Sequence, residues 1–282
     1  MAETAFQTQY RQEFVAGFEQ RQSLLRDSVT TEVELKGNTA TFLIADSGAA
    51  TATTRGVNGL IPARADNLTQ TSATLAEWHD LVRRSGFNIF ASQGDGRRIM
   101  QETTMAVINR KIDSDIITQL NTGTVNTGTA AVATLALALK AKTMLGNAGV
   151  PFDGNITGLI TPAFEGYLLQ VPEFASADYV SARPVQSGET AWSDQIKVIS
   201  WLGVVWVVHP NLPGVSTASA KCFMYHRSSI GQAINSGGIA SPVGYDEEQD
   251  YSWARVSIYM GAKLLQNSGV IVINHDDTAL SA

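Results

Sequence analysis

The chain has 282 residues, 44% hydrophobic and 16% charged, an ordinary globular composition with enough apolar material for a sizeable core. A net charge of −6 and a pI near 5.2, with Lys and Arg scattered, exclude the basic face of a protein that reads DNA through its phosphates. The single cysteine, Cys222, excludes an internal disulfide, residues 1–13 have no apolar signal core, and no stretch nears the roughly 20 apolar residues of a membrane span, so the expectation is a soluble protein made in a cytoplasm.

The first predicted element is a helix over residues 5–26, about 33 Å long. Phe6, Tyr10, Phe14 and Phe18 recur every four residues and Leu25 continues their face. Packed on its own domain it would be an ordinary terminal helix; packed on a neighbouring subunit it would be an arm. Two short strands are expected at 30–35 and 39–44, with Gly37-Asn38 as a turn between them. Residues 45–74 are mainly Ala, Thr, Ser, Gly and Asn. They can bury little, so they are expected to project from the body as a long β-loop ordered against a neighbour, the other reading being disorder.

Bulkier residues return over 77–90. Asp95 is placed to cap a helix that runs to Leu120, its apolar stripe being Met105, Ile108, Ile112, Ile116 and Leu120 and its stop Gly123. Arg97, Arg98, Glu102, Arg110, Lys111 and Asp113 are assigned to its solvent side. A third helix is expected over 131–147 and a buried strand over 156–161. Thr161-Pro162 has the N-cap and N1 residues of a further helix. Residues 196–208 are expected to form one central strand, 221–225 another, and 229–235 a short helix. Alternation over 253–260 predicts a strand, as does 270–274. The class is α+β.

No catalytic constellation emerges. His79, His209, His226 and His275 have no zinc spacing among themselves or with Cys222. The glycines at 146–154 lack the lysine of a phosphate loop, Gly94-Asp95-Gly96 lacks the third glycine of a dinucleotide fingerprint, and there is no nucleophile elbow. Asp246, Glu247 and Glu248 read as a solvated loop, with a cation site or an inter-subunit ion pair as the other reading; Asp276 and Asp277 are expected at the surface. No catalytic, cofactor or metal site is expected.

Residues 104–123, Thr-Met-Ala-Val-Ile-Asn-Arg-Lys-Ile-Asp-Ser-Asp-Ile-Ile-Thr-Gln-Leu-Asn-Thr-Gly, resemble the spine helix of the major capsid proteins of tailed bacteriophages, through Arg110, Asp113, Ile116, Leu120 and Gly123. Leu159-Ile160-Thr161-Pro162 through Phe164, Leu168, Phe174 and Tyr179 is similar to that family's strand–Pro–helix unit. Residues 203–213, ending Pro-Asn-Leu-Pro, are similar to its central strand. Tyr259-Met260-Gly261-Ala262-Lys263 and Gly269-Val270-Ile271-Val272-Ile273 resemble its C-terminal strands, with Met260 inserted between the Tyr and the Gly. Each motif is weak alone; their shared order spans nearly the whole chain and is most similar to coat proteins of short-tailed phages.

The resemblance implies a tailed-phage capsid fold: an N-terminal arm (1–28), an extended β-hairpin loop (29–78), a peripheral domain with the spine helix (79–123 and 246–282), and a mainly axial region with some peripheral strands (124–245). It implies pentamers and hexamers of one chain, closed into an icosahedral virion capsid around double-stranded DNA without sequence-specific contact, assembled in the host bacterial cytoplasm. The chain begins directly at the arm, so a separate scaffolding protein is expected, with a portal protein and optionally a decoration protein. Phe6, Tyr10, Phe14 and Phe18 are the candidate arm contacts, and Arg55 and Arg64 the candidate loop contacts. The competing readings are a bacterial encapsulin-type compartment, which holds cargo protein instead of DNA, and an unrelated α+β enzyme or binding protein, which would be a compact small oligomer with a ligand pocket.

Overall fold

A computed structural model describes residues 22–32, 37–47, 50–64, 67–91, 96–172, 199–235 and 237–280. The chain divides into two compact units, one comprising 1–23, 77–111 and 237–258, the other 24–76, 112–236 and 259–282. The expected cap Asp95 lies outside the described residues.

The second unit begins with β1 (Thr30–Glu32) and the long hairpin of β2 (Thr39–Asp46) and β3 (Asn67–Thr74). β1 and β2, on either side of the Gly37-Asn38 turn, do not pair with each other; β1 lies parallel to a later strand and β2 pairs antiparallel with β3. Gly37, with φ +119, turns the chain between them, and the Leu75 N–H returns to the Asn38 carbonyl at 2.8 Å to close the hairpin base.

In the first unit, β4 (Ala76–Ser85) alternates half-buried and exposed residues and leads into α1 (Gly86–Ala91). α2 (Gly96–Leu120) then runs through both units. The expected stripe is buried at Ile108, Ile112, Ile116 and Leu120, and Met105 is half-buried; Met100, Ala106 and Ile117 are buried besides. α3 (Leu135–Asn147) starts four residues later than periodicity suggests, because the Thr134 hydroxyl accepts the Leu137 N–H at 3.3 Å and sets the N-cap there.

The main sheet of the second unit is built around β5 (Ile156–Ile160), every residue of which is buried, as a centre strand covered on both faces must be. Thr161 caps α4 (Pro162–Leu168) as expected, accepting the Phe164 N–H at 3.2 Å. The apolar run after residue 196 is a hairpin and not one strand. Leu202 (φ 57) and Gly203 (φ 71) both take left-handed backbone and turn β6 (Ile199–Trp201) into β7 (Val204–Val208). With β8 (Ala220–His226) and the late strand β12 (Val270–His275) the order is β12-β8-β5-β7-β6, so β5 is central and β7 lies next to the edge.

Residues 230–234 are β9, a strand, where Ile230, Ala233 and Ile234 have helical spacing. Five residues cannot be assigned from period alone. Here β1 pairs on one side and the second half of β11 (Tyr251–Leu264) on the other, so all five residues are buried. A helix would leave both ladders unpaired. Gly231 is required by close approach: a Cβ there would meet the Phe42 ring at 2.8 Å and Leu265 at 3.0 Å. The first half of β11 pairs with β10 (Val243–Asp246) and buries Ser252, Ala254, Val256 and Ile258 in strict alternation, as its sequence predicts.

Asp277 is buried, not surface as its C-terminal position suggests. Its carboxylate accepts the Thr161 hydroxyl (2.9 Å) and the Ser216 N–H (3.1 Å), so it braces the cap of α4 from behind. His275 is buried beside it, donating Nδ1–H to the Ala131 carbonyl at 3.0 Å, with Phe164 edge-on at 4.8 Å. Loss of water holds its imidazole below the ordinary value of 6.5; the carbonyl of Ala131 and the Asp277 carboxylate, 3.0 Å from Nε2, oppose that shift without overcoming it.

Two outcomes follow. Gly231→Ala should lower unfolding stability by about 1–3 kcal/mol, the range for forcing extra volume into a packed site, as read from urea denaturation. Because the unfolded chain binds the His275 proton more readily, stability should be fully present above 6.5 and decline as pH falls below it. His275→Gln should flatten that slope in urea midpoints compared at about pH 7.5 and about pH 5.

Candidate assembly surfaces

Among the described residues of the β2–β3 hairpin, the buried ones lie at its root. Ala40, Phe42 and Ala73 are buried with Ala233, and Leu75 and Leu265 pack against them. Farther out Leu43 is 74% exposed and Leu68 61%, while Ile44 is half-buried. Beyond the Asp46–Asn67 pair the described residues of the crown, 50–64, are exposed throughout. The tip is nonetheless a defined turn. The Gly59 N–H bonds to the Gly56 carbonyl at 2.8 Å and the Gly56 N–H to the Leu60 carbonyl at 3.0 Å, with Gly59 at φ 72. That is a three-residue hairpin loop, and it lifts Val57 fully into solvent with Leu60 (73%) and Ile61 (67%) behind it.

Arg64 donates from Nη1 to the Ser47 carbonyl at 3.0 Å and so draws together the two sides of the crown, while remaining exposed. Arg55 is exposed. A two-stranded hairpin is at best marginal by itself, and one that carries five large exposed apolar residues presents a surface suited to another protein. Full burial of each such side chain is worth roughly 1.5–3 kcal/mol. The arm residues Phe6, Tyr10, Phe14 and Phe18 lie outside the described residues.

Leu24 and Leu25 lie beside α2. Asp113, assigned to the helix surface from sequence, is fully buried. Its Oδ2 accepts the Leu24 N–H at 3.0 Å and its Oδ1 the Leu25 N–H at 3.2 Å. Leu25 and Val29 are fully buried, and the Ser28 hydroxyl donates to the Leu25 carbonyl at 2.7 Å. With that proton used, the Tyr225 hydroxyl donates to Ser28 Oγ at 2.6 Å; burial pushes the Tyr225 phenol upward, so it stays protonated. His209 accepts the Asn211 N–H at Nδ1 (3.1 Å), which leaves its proton on Nε2, 3.5 Å from Asp113 Oδ2. Hydrogen bonds to a charged acceptor are worth about 1.5–3 kcal/mol each, so this junction is firm. A signal for it was present: Asp113 falls between Ile112 and Ile116 and one turn after the buried Asn109, inside the apolar sector of the helix.

Burial pushes the Cys222 thiol up to about 12, so it is not a nucleophile at neutral pH. Asp246 accepts the Glu248 and Gln249 N–H groups, each at 3.1 Å, in an exposed turn. His226 meets the exposed Asp153 at 3.1 Å, and His79 pairs with Glu77 at 2.7 Å. Among the described residues no group of three or more His, Cys, Asp or Glu is placed to hold a metal, and no helix is long and apolar enough to cross a membrane.

The family model described as phage capsid protein matches residues 2–277. No curated protein sequence matches the chain. Among solved structures, one from Mycobacterium phage Che8 is similar at TM-score 0.72 and 18% identity, covering 97% of this chain and 98% of that one. The capsid of the cyanophage P-SCSP1u is similar at TM-score 0.70 and 11% identity, covering 96% and 93%. The capsid of Ralstonia phage GP4 is similar at TM-score 0.67 and 13% identity, covering 98% of each. At such identities the structures speak to fold, and the fold is that of tailed-phage capsids. The family match adds the rest: the chain belongs to the phage capsid protein family and is a major capsid protein, a structural protein and not an enzyme.

Proposed function

We propose that this capsid protein assembles with copies of itself, as pentamers and hexamers, into a closed icosahedral shell around double-stranded DNA. The observation that carries the reading is the β2–β3 hairpin, rooted in its own unit and apolar at a fully exposed tip. Such an element gains stability only when a neighbour covers it. Repetition of one modest contact over many copies closes a stable shell while each contact stays weak enough to correct errors. In this reading residues 1–28 are the arm and 29–78 the extended loop. Residues 79–123 and 246–282 form the peripheral domain with α2 as its spine, and 124–245 mainly the axial domain. The DNA is enclosed without sequence-specific contact, consistent with the acidic net charge. The expected partners are a scaffolding protein, a portal protein and optionally a decoration protein. Assembly takes place in the host bacterial cytoplasm and the product is the virion capsid.

Electron microscopy of the purified chain, alone and with a candidate scaffolding protein, tests this. Closed particles, sheets or tubes of hexamers are expected; a uniform monomer or dimer under both conditions sinks the reading. Val57→Asp with Leu60→Asp should leave the thermal midpoint of the subunit unchanged and reduce particle yield at least tenfold, since two charges then have to be buried at the contact. Phe14→Ala with Phe18→Ala should likewise give a folded subunit that assembles poorly, and normal yield would remove the arm from the contact set.

A further inference from the structure

Asn58 is the one asparagine of the chain that is followed by glycine. It is exposed at the tip of the β2–β3 hairpin, in the turn closed by the Gly59 N–H on the Gly56 carbonyl. No hydrogen bond holds its side-chain amide among the described residues. A Cβ added at Gly59 would touch nothing within 4 Å, so the space around this peptide is open. A backbone nitrogen can attack the side-chain carbonyl carbon of a preceding asparagine, and a side chain on the attacking residue obstructs it. Glycine offers no obstruction and the widest backbone freedom. The turn bond of Gly59 has to open first, but it lies in an exposed crown where opening costs little.

We propose that Asn58-Gly59 is a site of spontaneous deamidation, and that conversion there withdraws the hairpin tip from contact with a second copy. The second part rests on the assembly reading above. Gly59 N gives its proton to a solvent base and bonds to Asn58 Cγ. The Cγ–Nδ2 bond then breaks and the nitrogen leaves as ammonia, with a cyclic imide closed between the two residues. Water opens either C–N bond of the imide. One product is an aspartate. The other is an isoaspartate, whose main chain runs through Cγ and is longer by one carbon. No electrons are exchanged. Either product sets a carboxylate, ionised at neutral pH, beside Val57 and Leu60, where burial at an apolar contact is costly. A neighbour covering the tip would hold the turn shut and exclude water, so conversion belongs to the unassembled subunit. Asn267 is the internal contrast. Its Oδ1 accepts the Thr124 N–H at 2.9 Å and its Nδ2 donates to Thr124 Oγ1 at 2.7 Å, so both ends of that amide are held.

The test ages purified, unassembled, full-length subunits in warm buffer and maps their peptides by mass spectrometry. Asn58 should gain the mass of an amide becoming an acid and give two chromatographic products, of which an isoaspartyl methyltransferase labels one. The rate should rise with pH, because the attacking nitrogen must lose a proton. Asn267 should stay intact over the same time. Gly59→Ala should slow conversion about tenfold, as a barrier about 1.4 kcal/mol higher would, and Asn58→Gln should abolish it. Aged parent subunits should yield several-fold fewer particles than fresh ones, and fresh Asn58→Asp subunits should match the aged parent. Aged Asn58→Gln should keep its fresh yield, which separates this site from other damage. Circular dichroism checks that every variant is folded. An Asn58 that outlasts Asn267, or undiminished conversion in Gly59→Ala, overturns the site. Fresh-parent yield from converted subunits or from Asn58→Asp overturns its consequence for assembly. If Asn58 converts but fresh parent subunits form no particles, with or without a scaffolding protein, the modification stands and the assembly reading fails.

Discussion

The apolar sector of α2 is the constraint on which the rest of the molecule depends. A 25-residue helix buries Ile108, Ile112, Ile116 and Leu120 along one side, and it is one of the few elements with residues in both compact units. Packing of that sector, rather than intrinsic propensity, is what makes so long a helix stable in water. The same sector contains Asp113, so this helix also holds the backbone of Leu24 and Leu25. An ionised group can remain there because both of its oxygens are hydrogen-bonded and a histidine N–H stands close by.

Two buried carboxylates serve one purpose. Asp113 holds a segment that lies outside regular structure, and Asp277 braces the threonine that caps α4. In both cases a carboxylate satisfies backbone or cap donors that a sheet or helix cannot reach. These ties hold irregular stretches against firm elements, whereas the described crown of the β2–β3 hairpin, residues 50–64, is exposed throughout. The contrast is the one that the proposed assembly calls for: firm packed units beside a contact element that a neighbouring copy would cover.

The exposure of the hairpin crown was legible in the sequence. The poverty of bulky residues over 45–74 already implied a projecting loop, and the few that occur there, Val57, Leu60, Ile61 and Leu68, are the ones found exposed. Arg64 shows the limit of that reading: its charge was legible, but its bond to the Ser47 carbonyl depends on where the hairpin brings residue 47. The acids at 113 and 277 were placed at the surface because carboxylates usually are, and single residues carry no mark of the donors that fold against them.

Local pattern determined what local physics controls. The long helix, the Thr161-Pro162 cap, the alternation of β11 and the α+β class follow from side-chain period and from caps formed within four residues, and the ordered motifs pointed to the capsid fold. Tertiary structure alone decided the pairings. β1 joins β9 and not β2, residues 230–234 become a strand, and 199–208 fold back at Leu202 and Gly203. The physical reason is the same in each case: short apolar segments fit helix or strand almost equally well by themselves, and the difference comes from hydrogen-bond ladders and buried surface supplied by residues far away in sequence.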